Sequence, residues 1–390
     1  MGERRSERRA RREPEWIPEA DDQRRAHSQV AGEAVLSGDE DVAKVLESAL
    51  RQAGPVERAT HGFHAYPAGL HPDAARALVS LGAGEVLDPF CGGGPVLVEA
   101  LLAGREALGL DISPVACLVA RARTVRTSAE ERTAMRTGAR KATETARFAT
   151  EIPEAVPPLL RDWYDPPALA ELCALRPVRD DALLRAVYSS ILVKASYRES
   201  ETSRHRVVRP RPSGTTAVLF HRRAREYGRQ LEAFEALAPA GVRARVHRED
   251  ARELRERDRF GLVVTSPPYP GVYDYLAMQR LRAAWLGLDV DDPREVGSRR
   301  EFSEGRGVAG WRQDTAKWVR AAARALAPGG RLVVVIGDGT AGEQPMDAWT
   351  PLDEAATQAG LVRVARATVE RWDGGLRSMR PEHAGAWEKA

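Results

Sequence analysis

At 390 residues the chain is long enough for one large core or two to three modest domains. Charged residues make up 29% and aromatics 6%, and no apolar run approaches the ~20 residues of a membrane span, so a soluble, cytoplasmic chain is expected. A net charge of +3 does not by itself imply a nucleic-acid partner, and three widely spaced cysteines, Cys91, Cys117 and Cys173, exclude a disulfide framework and fit a reducing compartment.

Residues 1–37 read as a disordered tail. Its clustered arginines are offset by Glu3, Glu7, Glu13, Glu15 and Glu19, and no apolar stretch of a secretory signal accompanies them. A helix follows over Asp39–Gln52, with Val42, Val45, Leu46, Ala49 and Leu50 as its apolar stripe and Ser37 with Glu40 as a capping box. The segment His61–Pro67 opens toward a helix over Pro72–Leu81. His64 and His71 have no acid or cysteine neighbour at ligand spacing, so no metal is expected. Val86-Leu87-Asp88 then reads as a short strand, Pro89-Phe90-Cys91-Gly92-Gly93-Gly94 as a tight turn, and Val96–Leu102 as a helix. A second strand, Ala107–Leu110, ends at Asp111. That acid lies 19 residues past Gly92, near the ~20-residue spacing of a carboxylate that takes a ribose hydroxyl. Strand, turn, helix, strand and acid in series are a far stronger signal than a glycine turn alone.

Residues 112–241 read as a mostly helical insertion. Ser113-Pro114 starts one helix, Ser128 with Glu131 forms a capping box for another, and Asp165-Pro166 starts a third. Leu183 to Leu192 and Leu219 to Phe234 keep helical period on two more. Between Val193 and Arg229 stand ten Lys/Arg against three Glu, a net +7 in a chain of +3. Arg198, Arg204, Arg206, Arg209 and Arg211 are interleaved there with serines and a threonine, a mixture suited to phosphate contacts. This is the candidate nucleic-acid-recognition region; a solvated basic loop is the plainer alternative.

The sheet resumes with Val242–Val246, followed by Asp250-Ala251. Gly261–Val264 reads as a buried strand that stops at Thr265-Ser266-Pro267-Pro268-Tyr269, because two prolines cannot continue a ladder. A hydroxyl, a carbonyl and an aromatic ring are thus presented together at a strand's carboxyl end, where ligands bind in open α/β sheets. A single helix is expected over Asp274–Leu286, its stripe of Tyr275, Met278, Leu281 and Trp285 serving as core. Another helix should run from Trp311 to Leu326. Leu332–Ile336 should form a strand buried on both faces, Leu361–Val369 a later strand, and His383–Lys389 the last, weakened by Gly385.

DPFCGGG at 88–94 and SPPY at 266–269 resemble the two signatures of the amino-methyltransferases, which methylate exocyclic amines of nucleic-acid bases. The resemblance covers Gly62 to the C-terminus apart from the central insertion. It implies an α/β, Rossmann-like class I methyltransferase fold: a mostly parallel seven-stranded sheet with helices on both faces, formed by residues 38–111 and 242–390. It implies S-adenosyl-L-methionine as cofactor, held by Tyr66, Pro67, Asp88, Pro89, Phe90, Cys91, Gly92, Gly94, Asp111, Ile112, Asp250 and Ala251. It assigns the target base to Ser266, Pro267, Pro268 and Tyr269, with double-stranded DNA as partner. The serine form of the tetrad is most similar to site-specific cytosine-N4 enzymes. Two departures are Gly93, where the family has serine, and Pro95, where it has threonine. Adenine-N6 methylation, RNA methylation, and a non-catalytic nucleic-acid binder with a degenerate cofactor site are the alternatives.

Overall fold

The computed structural model describes residues 30–390 apart from 204, 304–306, 342–343 and 374–377. In chain order the first elements are β1 (Val30–Gly38), α1 (Glu40–Leu50), α2 (Pro72–Val79), β2 (Val86–Asp88), α3 (Pro95–Leu102), β3 (Ala107–Leu110) and α4 (Pro114–Thr124). The insertion contributes α5 (Ala129–Ala146), α6 (Pro158–Trp163), α7 (Pro166–Leu175), α8 (Ala182–Ala195) and α9 (Thr215–Leu237). Then come β4 (Ala244–His247), β5 (Phe260–Thr265), α10 (Tyr275–Met278), α11 (Arg280–Leu286), α12 (Arg299–Ser303) and α13 (Gly307–Ala325). The chain closes with β6 (Leu326–Gly337), β7 (Gly339–Ala341), β8 (Gln344–Met346), α14 (Trp349–Gln358), β9 (Leu361–Asp373) and β10 (Ser378–Lys389).

The main sheet has the order β1-β9-β10-β6-β5-β2-β3-β4. Strands β4, β3, β2, β5 and β6 run parallel, while β10 lies antiparallel between β6 and β9. The order reverses at β2: the chain moves outward to β3 and β4, then returns to lay β5 on the other side. The carboxyl ends of β2 and β5 therefore flank a topological switch point.

Side-chain alternation divides the two cores. Leu262, Val264, Val333 and Val335 face helices α1 to α4, and Val263, Leu332, Val334 and Ile336 face α13 and α14. Gly385 does not interrupt β10; a Cβ there would come within 2.5 Å of the Trp349 and Trp387 rings, so the glycine makes room for them.

Several expectations are corrected. The main sheet has eight strands rather than seven, because β1 adds an antiparallel edge beside β9. Residues 30–37 of the expected tail are not loose: β1 pairs antiparallel with β9, from Val30↔Arg371 to Gly38↔Ala365; residues 1–29 lie outside the described residues. The cap of α1 is Asp39, which accepts from the Val42 N–H at 3.0 Å, rather than Ser37, which is held in the strand. The insertion does not begin at 112, because α4 packs Cys117 and Ala120 into the sheet core; the separate helical core starts at α5. Among the described residues no helix is long and apolar enough to cross a membrane.

The helix expected over Asp274–Leu286 is broken at Gln279 into α10 and α11. Leu281 and Trp285 join the insertion's core. Beside them Arg282, 1% exposed, donates to both oxygens of Glu201 at 2.5 Å and to the Ser189 carbonyl at 3.2 Å. This pair pins the basic loop of the insertion to the helix that follows the SPPY turn. Removing one partner of a buried pair leaves an uncompensated charge. Arg282→Met should therefore lower the unfolding free energy by about 3 kcal/mol in a denaturant titration, and adding Glu201→Leu should recover part of the loss.

Candidate active site

The site begins with two neighbouring strand ends. β2 and β5 pair through Val86↔Leu262 and Leu87↔Val263, so Asp88 and Thr265 emerge side by side. Both are buried, and the Thr265 hydroxyl donates to Asp88 Oδ1 at 2.8 Å. The Phe90 N–H donates to the same oxygen at 3.2 Å, turning the chain into the glycine loop.

Asp111, at the end of β3, closes that loop from the other side. Its Oδ2 accepts from the Gly92 N–H at 3.0 Å and its Oδ1 from the Ser113 N–H at 2.8 Å. Two carboxylate oxygens have about four acceptor sites, so capacity remains for a hydroxyl pair on a ligand. The buried Arg123 straps the loop, donating from Nη1 to the Gly93 carbonyl at 3.0 Å and from Nη2 to the His64 carbonyl. The Tyr66 ring lies over Gly92 and Gly93.

This packing explains the departure at 93. A Cβ on Gly93 would stand 3.0 Å from both Tyr66 Cβ and Arg123 Nη1, so a serine would need one of them to shift. Pro95 occupies the first turn of α3 after left-handed Gly94, a place proline fills without losing a bond. Cys91 is buried against Gly109. Burial pushes its thiol well up, the opposite of an activated nucleophile.

The SPPY turn forms the facing wall. Ser266 and Tyr269 are part exposed and Pro267 is buried. The Tyr269 hydroxyl donates to Glu382 Oε1 at 2.7 Å. One cleft of about 1410 Å³ is lined by Tyr66, Pro67, Asp88–Gly93, Asp111, Ile112, Asp250, Ala251 and Ser266–Tyr269. Gly94, the remaining residue expected at the cofactor, caps α3 behind this wall. Tyr275 and Met278, expected as core, also line the cleft. Asp250 is there too, but Arg252 grips its carboxylate at 2.6 and 2.9 Å and also pairs with Asp314 at 2.7 Å.

The cleft suits a cofactor that carries positive charge and a ribose. Asp88, Asp111 and Asp250 supply carboxylates, the glycine turn lets backbone approach, and both turns line one cleft. Burial raises the Asp88 carboxyl to about 7, against the lowering effect of its Thr265 and Phe90 bonds, and raises Asp111 to about 6.

The basic segment is only partly a free surface. Arg198 is a brace, donating to the Ser203 carbonyl at 2.8 Å and the Met278 carbonyl at 2.6 Å, and is withdrawn as a phosphate contact. Arg211 is likewise held by the Lys194 carbonyl, with its own N–H on Asp165 at 2.6 Å. Arg206 is exposed with its guanidinium 4.9 Å from the centre of the Tyr197 ring, and Arg209 is exposed. Arg204 lies outside the described residues. Between them Glu199, Ser200, Thr202, Ser203 and His205 reach the cleft mouth. His64 and His71 serve the fold: His64 bonds Ser189 at 2.9 Å, and His71 caps α2.

Strand order, the antiparallel strand beside the last parallel one, and the glycine turn with its following acid define a Rossmann-like class I methyltransferase architecture. No family model matches the sequence. M.MvaI of Kocuria varians, a Type II methyltransferase, is 26% identical over 275 residues, which cover 61% of this chain and 60% of that protein, so the chain spans about three fifths of this relative's length. The chain thus resembles the amino-methyltransferases in motif, in architecture and in this relative. Among solved structures, TrmN from Thermus thermophilus superposes with a TM-score of 0.34 and 14% identity over 82% of this chain and 49% of its own. An S-adenosylmethionine-dependent methyltransferase from Methanosarcina mazei gives 0.32 and 11% over 78% of this chain and 92% of its own.

A raised folded-state carboxyl favours the protonated protein, so the stability that Asp88 contributes is fully present below about pH 4 and is lost as pH rises through about 7. Asp88→Asn keeps an acceptor for Thr265 but cannot ionise. Its urea midpoint should fall less steeply than wild type's between pH 4 and 7; parallel profiles would show that Asp88 is not the titrating group.

Proposed function

We propose that the chain is an S-adenosyl-L-methionine-dependent methyltransferase acting on the exocyclic amine of a base flipped from double-stranded DNA, with cytosine N4 as the target, and that it serves site-specific DNA modification. The observation that supports this best is that the glycine turn and the SPPY turn share one cleft, with their strand ends bonded through Thr265 and Asp88. M.MvaI, a Type II methyltransferase, is the relative in keeping with it.

The cofactor supplies a methyl group on a sulfonium, electrophilic by its charge. Asp111 would hold the ribose hydroxyls, Tyr66, Pro67, Phe90 and Ile112 line the space around it, and the backbone of Cys91, Gly92 and Gly94 shapes the turn. Asp250, with Ala251 beside it, would meet the adenine amine in place of one of the bonds Arg252 makes to its two oxygens. A flipped cytosine costs a few kcal/mol of lost stacking, of which stacking on Tyr269 returns roughly 1–3 kcal/mol. The Ser266 hydroxyl and the Pro267 carbonyl accept from the amine and turn its lone pair toward the methyl group, while Pro268 stiffens the turn. Serine is too weak a base to take the proton first, so as the N–C bond forms the C–S bond would break, its electron pair staying on sulfur as a neutral thioether, and the proton would then pass to solvent. Alignment then supplies most of the rate, with roughly 7–11 kcal/mol as its ceiling.

Tritiated-methyl transfer to mixed DNA and RNA, followed by nucleoside identification, should give N4-methylcytosine in DNA. N6-methyladenine, or label in RNA alone, would replace the substrate assignment; no transfer, with no heat of cofactor binding, would leave a non-catalytic binder.

On the exposed side of the loop whose Ser203 and His205 line the cleft, Arg206 and Arg209 meet phosphate, and each such contact adds about one unit to the slope of log affinity against log salt. Arg206→Gln with Arg209→Gln should lower that slope by about two, whereas Arg211→Gln should act mainly on stability. An unchanged slope in the double variant would remove this loop from the DNA interface.

A further inference from the structure

The SPPY tyrosine is held from outside its own motif. Its hydroxyl donates to Glu382 Oε1 at 2.7 Å, on β10, more than a hundred residues further along the chain. The second oxygen of Glu382 takes Arg371 Nε of β9 at 2.5 Å, and Arg371 reaches on to the Leu50 carbonyl at the end of α1. Glu382 stands opposite Gly337 in the β10–β6 register. Gly337 backs the same ring: a Cβ there would come within 2.6 Å of Tyr269 Cε2. The Asp338 N–H donates to the Pro381 carbonyl at 2.9 Å and ties the β6 tip to β10 beside Glu382. The ring is thus fixed at its tip by a carboxylate and on its flank by a bare backbone. A tyrosine on a loop otherwise keeps two free torsions, and a misplacement of about 1 Å can cost on the order of a hundredfold in rate.

We propose that Glu382, secured by Arg371, is the positioning residue for the Tyr269 ring, and through it for the captured base. This rests on the methyltransferase reading. Glu382 lines the cleft with both carboxylate oxygens engaged, one by Tyr269 and the other by Arg371. It holds the surface on which the base stacks, so its loss should slow methyl transfer at saturating DNA and cofactor while cofactor affinity stays at the wild-type value.

The test is single-turnover methyl transfer by the full chain. Glu382→Leu removes the acceptor, Tyr269→Phe removes the donor while keeping the ring and the Glu382–Arg371 pair, and Glu382→Gln keeps an acceptor. Glu382→Leu and Tyr269→Phe should each slow transfer on the order of tenfold to a hundredfold. The double variant should be no slower than the worse single one, because both break the same bond. Glu382→Gln should recover most of the rate. Wild-type rates in Tyr269→Phe, or losses that multiply in the double variant, would overturn the proposal, as would a matching loss of cofactor affinity, which marks a merely structural role. A wild-type protein that transfers no methyl group to DNA or RNA would instead sink the functional reading beneath it.

Discussion

The bond from the Thr265 hydroxyl to the Asp88 carboxylate is the smallest unit on which the site depends. It joins residues 177 positions apart and lies wholly in the interior. Strand pairing alone would bring β2 and β5 alongside each other without fixing how the chain leaves them. The bond sets both exits at once. Asp88 is committed at one oxygen, so the glycine loop turns in a defined direction. Thr265 is committed at its hydroxyl, so the proline turn does too. A buried carboxylate is a costly choice for such a joint. Its placement on the cleft wall gives that cost a use, since an acid is what a cationic ligand requires.

Local chemistry was legible where a residue acts through its immediate neighbours. Ser113-Pro114 does start α4, Ser128 and Glu131 do form a reciprocal capping box, and Asp165 does cap α7. The unbroken β-branched run of β6 is buried on both faces. The reading failed where a distant strand decided the outcome. Ser37 looked like a cap, but its backbone belongs to a ladder with β9, so the cap falls two residues later, at Asp39. Arg198 looked like a phosphate contact because no sequence pattern reveals that the Met278 carbonyl waits for it. Glu382 carried no signal at all: it is one acid in a strand, and only the register with Gly337 puts it behind the tyrosine. Tyr275 and Met278 fitted an apolar stripe, and the break at Gln279 turned them to the cleft instead.

The insertion is a second body of packed helices, yet it is not a loose appendage. Trp285 and Leu286 of α11 sit in its core, and Arg282 reaches Glu201 in its basic loop. The segment just after the proline turn therefore belongs to both cores. Any shift of the helical body would be carried to α11, which is joined to the proline turn through α10.

The strap formed by Arg123 also limits what position 93 can hold. A Cβ there would stand 3.0 Å from Arg123 Nη1 on one side and 3.0 Å from Tyr66 Cβ on the other. The turn is thus stiffened from behind, by a guanidinium that bridges the Gly93 and His64 carbonyls, rather than by a side chain of its own.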